Sequence, residues 1–200
     1  MKPSSLLDSV LYCAKKVIPR GLFTALQPTY HYLLSFSGVL LCGFPSRRLT
    51  VIAITGTKGK TSVAELINSI YEEAGYKTAL SSTLRFKIGA HSEDNLYKMT
   101  LPGRFFLQKF LRNAVRAGCT HAIIEITSEA AKQYRHTFLS LDALVFTNLS
   151  PEHIESHGSY EKYLAAKLSI AESLAHSSKK KTVIIANADD PEGKKFLAVQ

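Results

Sequence analysis

Cysteine is scarce in this chain. Cys13, Cys42 and Cys119 are the only three in 200 residues, and no two of them form a CxxC pair. So scattered and odd a set argues against a disulfide framework or a zinc site, and fits the reducing cytosol. A long apolar run is also missing. Residues 30–44 are apolar but carry His31, Ser35 and Ser37 between Pro28 and Pro45, which is too short for a comfortable membrane span. Residues 6–18 hold no apolar core of the kind that directs secretion. There, Leu6, Leu7, Val10, Leu11, Ala14, Val17 and Ile18 form an amphipathic helical stripe, opened by Ser4 or Ser5 and closed by Pro19 and Gly21. The expectation is a pair of helices packed on the main domain. No internal repeat is present, nor any low-complexity segment beyond the short turn at 177–181.

Acidic residues are outnumbered, 16 against 25 Lys and Arg, for a net charge of +9. Such a balance raises the question of nucleic acid. There is, however, no helix with clustered Arg and Lys and no interleaving of aromatic and basic residues, so no nucleic-acid partner is expected. Anionic small substrates account for part of the charge. Up to Arg48 the cations are Lys2, Lys15, Lys16, Arg20, Arg47 and Arg48, against Asp8 alone. A basic, apolar-faced appendage over 1–48 could make weak contact with an anionic membrane surface. The hydrophobic content of 46% is that of a soluble globular protein.

What is present is organised around Ile54-Thr55-Gly56-Thr57-Lys58-Gly59-Lys60-Thr61-Ser62. Before it, residues 49–54 are apolar and rich in β-branched side chains, suited to a buried parallel strand. After it, residues 63–71 repeat apolar side chains at helical spacing. Strand, glycine turn and helix start make a phosphate cradle. Gly56 and Gly59 let the backbone approach an anion, and the free N–H groups of the first helical turn attract it. Lys60 can reach terminal phosphates, and the Thr61 hydroxyl can ligate Mg²⁺. The commonest phosphate loop has four residues between its first glycine and Gly-Lys-[Ser/Thr]; here only two residues separate Gly56 from Gly59. The plainer alternative is a lysine-rich turn before a helix.

Downstream, a helix stops near Gly75. Strands are expected over 77–83, 120–126, 142–147 and 182–186. Helices are expected over 104–117 and 159–175, with Pro191 as the N1 residue of a last one. Residues 85–98 are polar and irregular, with a short hairpin around Gly89. Strands alternating with helices predict an α/β fold, a mostly parallel sheet flanked by helices, joined by right-handed crossovers. Ligands then sit beyond the carboxyl ends of the strands. Glu125 lies inside an apolar strand and should have a cation partner, either an arginine or Mg²⁺. His153 follows another strand end, where imidazole could ligate a metal or simply be solvated. Lys167 interrupts an apolar helix face, as a snorkelling lysine or something less ordinary.

The ordered blocks Thr-Gly-Thr-x-Gly-Lys-Thr at 55–61, Glu-Ile-Thr-Ser at 125–128, Phe-Thr-Asn-Leu at 146–149, and Asn-Ala-Asp-Asp-Pro at 187–191 resemble the Mur ligase family. So does the run from His153 through His157, Gly158 and Tyr163 to Lys167. The pattern is nearest the MurE type and covers about 49–200, the first part of the family's central ATP-binding domain. The resemblance implies an ATP-dependent carboxylate–amine ligase of peptidoglycan precursor synthesis. Such an enzyme adds an amino acid to a muramyl peptide through an acyl phosphate, in the cytoplasm and as a monomer. It implies that Gly56, Thr57, Lys58, Gly59, Lys60, Thr61 and Ser62 hold ATP. Thr61 and Glu125 would share one Mg²⁺, and His153 would ligate a second. Lys167 takes the place of a carbamylated lysine that joins the metals. Thr100, Thr127, Gln133 and Arg135 fall where the muramyl peptide is contacted.

The chain departs from the family pattern at Glu129, where histidine is usual, and at Glu152, where aspartate precedes the histidine. Residues 1–48 do not resemble the family's UDP-binding domain, and the C-terminal ligase domain has no counterpart here. The expectation is therefore a fragment or truncated relative, inactive alone. Other readings are a folylpolyglutamate synthase-like ligase, a lipid II-amidating ligase, and a non-ligating nucleotide-binding domain. The scattered cysteines speak against the zinc insert of the amidating enzymes, and the GTPase motif Asn-Lys-x-Asp is missing.

Overall fold

The computed structural model describes residues 20–97, 99–152 and 154–199. The stripe at 6–18, with Cys13, and His153 lie outside the described residues. Seven strands form one sheet in the order β4-β3-β2-β5-β1-β6-β7. They are β1 Thr50–Thr55, β2 Thr78–Ser81, β3 Arg85–Ile88, β4 His91–Asp94, β5 His121–Glu125, β6 Ala143–Phe146 and β7 Val183–Ala186. The five strands β2, β5, β1, β6 and β7 pair in parallel, and the hairpin of β3 and β4 adds an antiparallel edge.

Alternation along the central strands explains why both faces need cover. From β1, Val51 and Ala53 join the larger core with Ala122 and Ile124 of β5. Ile52 and Ile54 turn to the other face with Ile123 and Leu80. That second face is closed by α2 (Lys60–Glu73) through Ala64, with Val63 and Ile67 against it. The larger core is closed by α3 (Arg104–Arg116) through Leu107 and Leu111, and by a later helix through Tyr163, Ile170 and Leu174.

α1 (Arg20–Cys42) is one 23-residue helix. The sequence predicts two helices here, one closed by Pro19 and Gly21 and one between Pro28 and Pro45; the body of the first, 6–18, lies outside the described residues. Instead the helix runs through Gly21 and Pro28, and Ser35, Gly38 and Val39 are buried against the domain. Tertiary packing outweighs the local cost of these residues. A second correction is at the end of the chain. Pro191 does not open the last helix. α7 (Gly193–Leu197) starts two residues later, behind a turn in which Asp190 accepts the Glu192 N–H at 2.9 Å. The remaining elements are α4 (Ser128–Lys132), α5 (Ile154–His157) and α6 (Tyr160–Ala175).

Candidate active site

The site lies where the parallel strands end. β1 finishes at Thr55 and the chain turns through 56–59 into α2. Gly56 has φ +149°, and a Cβ there would meet Thr147 Oγ1 at 1.9 Å and the Asn148 backbone at 3.1 Å. Only glycine fits so close to the end of β6. Gly59, at φ +78°, caps α2 in open space, so its need is conformational alone. The loop is clamped from the neighbouring strand. The Thr57 N–H donates to Asn148 O at 2.8 Å, and the Lys58 N–H to Asn148 Oδ1 at 2.9 Å. Thr147 Oγ1 donates to Lys58 O at 2.7 Å.

Two of the loop's N–H groups are thus already engaged, which turns anion capture over to the first turn of α2. There the N–H groups of Lys60, Thr61 and Ser62 have no intrahelical acceptor. The Lys58 side chain points away, in an exposed ion pair with Glu152 at 3.1 Å. Lys60 folds back over the loop, donating to Gly56 O at 3.0 Å and Thr57 O at 2.8 Å. Burial lowers its pKa, against the attraction of Glu125 and Glu152. These two carbonyls are the partners a phosphate would displace.

Glu125 is fully buried at the end of β5. Of the two cations expected for it, an arginine is not found in contact with it among the described residues: the carboxylate is held by neutral donors. Thr61 Oγ1 donates to Oε2 at 3.1 Å. Thr83 donates twice, from its N–H to Oε1 at 3.1 Å and from its hydroxyl to Oε2 at 3.0 Å. Burial raises the Glu125 pKa, and these hydrogen bonds and the Lys60 charge oppose that. A hydroxyl and a carboxylate in contact are a hard-oxygen set, so these residues fit Mg²⁺. Among the described residues, no three His, Cys, Asp or Glu side chains gather into a metal-holding cluster.

Lys167 is 1% exposed, so it is not a snorkelling surface lysine. Its ammonium donates to Gly56 O at 2.7 Å and lies 4.9 Å from the centre of the Tyr163 ring. Burial, and then the Lys60 charge, bring its pKa down to about 7. Tyr163 in turn holds the loop, its hydroxyl 3.0 Å from Thr57 Oγ1.

One cleft of about 370 Å³ gathers Gly56, Thr57, Lys60 and Lys167 with Thr100, Thr127, Gln133 and Arg135. Thr100 meets Thr83 at 2.9 Å, hydroxyl to hydroxyl. Thr127 caps α4 by accepting the Ala130 N–H at 3.2 Å, which leaves its own proton to donate. Arg135 donates to Leu101 O and, at 2.7 Å, to Gln133 Oε1, while its buried Nε has no partner among the described residues. Lys58, Gly59, Thr61, Ser62 and Glu125 do not line the cleft.

Thr83 is the site residue that sequence reasoning missed. Its only signal is its place just beyond the end of β2, beside the strand that carries Glu125. Glu129 occupies a position where the motif usually has histidine, and its carboxylate takes the Ser156 hydroxyl at 2.6 Å and His157 Nε2 at 3.2 Å.

A parallel sheet whose first strand turns through two glycines into a helix start, with a lysine over the turn, defines a phosphate-loop α/β protein. The Mur ligase middle domain matches residues 54–200, and the chain belongs to the Mur ligase family. The UDP-N-acetylmuramyl-tripeptide synthetase of Roseiflexus sp. is 36% identical over 163 residues, 78% of this chain and 32% of that protein. A solved UDP-N-acetylmuramoyl-L-alanyl-D-glutamate–2,6-diaminopimelate ligase superposes with TM-score 0.63 at 27% identity, covering 76% of this chain and 29% of that one. Folylpolyglutamate synthase of Mycobacterium tuberculosis, solved with ADP, shares the fold at TM-score 0.57 and 18% identity, over 84% of this chain and 44% of that one. The chain spans about a third of the length of the curated relatives it matches.

Proposed function

We propose that the chain is the ATP-handling part of a cytoplasmic ligase that joins an amino acid to the carboxylate of a UDP-muramyl peptide. The observation that carries this reading is the single cleft in which the phosphate loop and Lys167 face Thr100, Thr127, Gln133 and Arg135. In the first step a carboxylate oxygen attacks the γ-phosphorus of ATP, and ADP leaves with the electron pair of the broken P–O bond. The amine then attacks the acyl carbon, inorganic phosphate leaves, and the amine gives up a proton. Lys60 and the first turn of α2 hold the phosphates, and the buried setting strengthens their effect on the developing charge.

Arg135 presents a guanidinium fork to the acceptor's anionic group, and Thr100, Thr127 and Gln133 orient the peptide beside it. Thr61 and Glu125 would hold one Mg²⁺, with Thr83 fixing the carboxylate; His153 and Lys167 would hold a second. The two ions would supply neutralisation of phosphate charge. For that role Lys167 would act as a carbamate, its neutral amine adding to CO₂ with loss of one proton. Its burial and the nearby Lys60 charge favour the neutral amine, before any metal contributes.

The test is ADP release by the protein extended to its relatives' length, with muramyl peptide or with folate as acceptor. Turnover that requires the muramyl peptide and an amino acid supports the proposal. Turnover that requires folate, or that ignores both acceptors, overturns it.

A further inference from the structure

α1 carries its apolar stripe on the wrong side for a helix that only packs on a core. Ser35, Gly38 and Val39 face the domain and are buried. On the opposite side, Leu26, Tyr30, Leu33, Leu40 and Leu41 are 45–72% exposed. Their spacing of three, four and seven residues lines them up along one ridge. At 1.5 Å per residue the helix is roughly 34 Å long. The ridge does not end in plain solvent. Leu41 and Cys42 share a shallow groove with exposed Phe105 and with Lys109, Arg112 and Arg116 of α3. α3 packs on both α1 and the 3₁₀ turn Pro45–Arg48, which adds exposed Arg47 and Arg48. No Asp or Glu occurs between residues 9 and 64, nor within α3.

We propose that this face, the outer ridge of α1 with the cationic border from α3 and the 3₁₀ turn, docks on an anionic lipid surface. The charges match one another's roles: leucines and a tyrosine enter the boundary of the acyl chains, and the five cations meet lipid phosphates. Among the described residues no helix is long and apolar enough to cross a membrane, so the helix lies on the surface rather than spanning it. A second copy of this chain fits the face less well, because two cationic borders would meet. A nucleic acid would satisfy the cations but leave the leucines in water. The face includes none of the residues lining the phosphate-loop cleft, so docking would leave that cleft open.

The test is co-sedimentation of the full 200-residue chain with vesicles of phosphatidylglycerol and phosphatidylcholine, against phosphatidylcholine alone, at two salt concentrations. The expected result is binding to the anionic vesicles, weakened by salt. Arg112→Gln with Arg116→Gln should lower the partition coefficient about fivefold per residue. Leu33→Asp with Leu40→Asp should lower it at least tenfold, with the circular-dichroism spectrum unchanged. Both pairs lie at the surface, and a variant that loses the spectrum is replaced by Leu33→Ser with Leu40→Ser. The proposal is overturned by no binding, by equal binding to both vesicle types, or by variants that bind as the parent does. It is also overturned if a concentration-dependent dimer buries the ridge, or if an oligonucleotide binds this face and the vesicles do not.

Discussion

Glu125, Thr83 and Lys167 are the single side chains on which the proposed chemistry rests. A fully buried carboxylate is costly unless donors surround it, and Thr83 supplies two of the three that Glu125 has. Thr83→Val should therefore loosen the carboxylate without removing it. Mg²⁺-dependent ATP binding should weaken roughly tenfold, the usual cost of losing a group that orients a metal ligand. ATP binding without Mg²⁺ should be unchanged. Equal Mg²⁺ dependence in the two proteins, measured by calorimetry, would make Thr83 a purely structural residue. For Lys167, bicarbonate-dependent ¹³C NMR should show a carbamate signal that Lys167→Ala lacks. In the ligase assay, acetate or formate should restore part of the activity of Lys167→Ala and none of Lys167→Arg, whose guanidinium still fills the space. Full activity of Lys167→Ala in bicarbonate-free buffer would end the carbamate idea.

At the scale of elements, the loop from β1 to α2 is the part on which the site depends. Its two glycines make different demands. Gly56→Ala puts a methyl group into Thr147 and against the Asn148 backbone, whereas Gly59→Ala meets nothing within 4 Å. Gly56→Ala should abolish nucleotide binding and lower stability by about 2 kcal/mol or more. Gly59→Ala should cost about 1 kcal/mol from its φ alone and leave measurable binding. Denaturant melts and calorimetry on both variants decide this, and equal losses would contradict the clamp. This loop was legible in the sequence because strand, glycines, Lys-Thr and helix follow in order. Lys167 was legible because a lysine among alanines and leucines needs a reason. Thr83 was not: a lone threonine in a loop carries no pattern, and its role arises only where β2 pairs with β5. The passage of α1 through Pro28 was hidden for a related reason. The packing of Ser35, Gly38 and Val39 is long-range, and local propensity points the other way.

Across the whole molecule, the parallel sheet brings the strand ends together, and the larger core ties it to α3 and α6. His136 is buried against α6. It is 3% exposed, its Nε2 lies 3.3 Å from Ser169 O, and its Nδ1 has no partner among the described residues. Burial pushes its pKa from 6.5 down to about 4. In this window the unfolded chain binds the proton and the folded one does not. Stability from this residue is therefore full above about pH 6.5 and falls as pH drops toward 4. Between pH 7 and pH 5 the loss should be about 2 kcal/mol. His136→Gln should flatten that dependence in urea melts, and an unchanged slope would contradict a neutral buried imidazole. The alternation of strands and helices made the sheet readable from the sequence. The hairpin edge was only partly readable, since β3 and β4 are short, polar and half exposed.

By the proposed function, this chain takes Mg-ATP at its phosphate loop without forming an amide unaided. The most direct measurement is a calorimetric titration of Mg-ATP into the 200-residue chain and into Lys60→Ala, with a parallel assay for amide product. The expected result is heat of binding for the parent, none for Lys60→Ala at the same unfolding midpoint, and no product from either. Equal affinity in the two proteins, or robust amide formation by the chain alone, would contradict it.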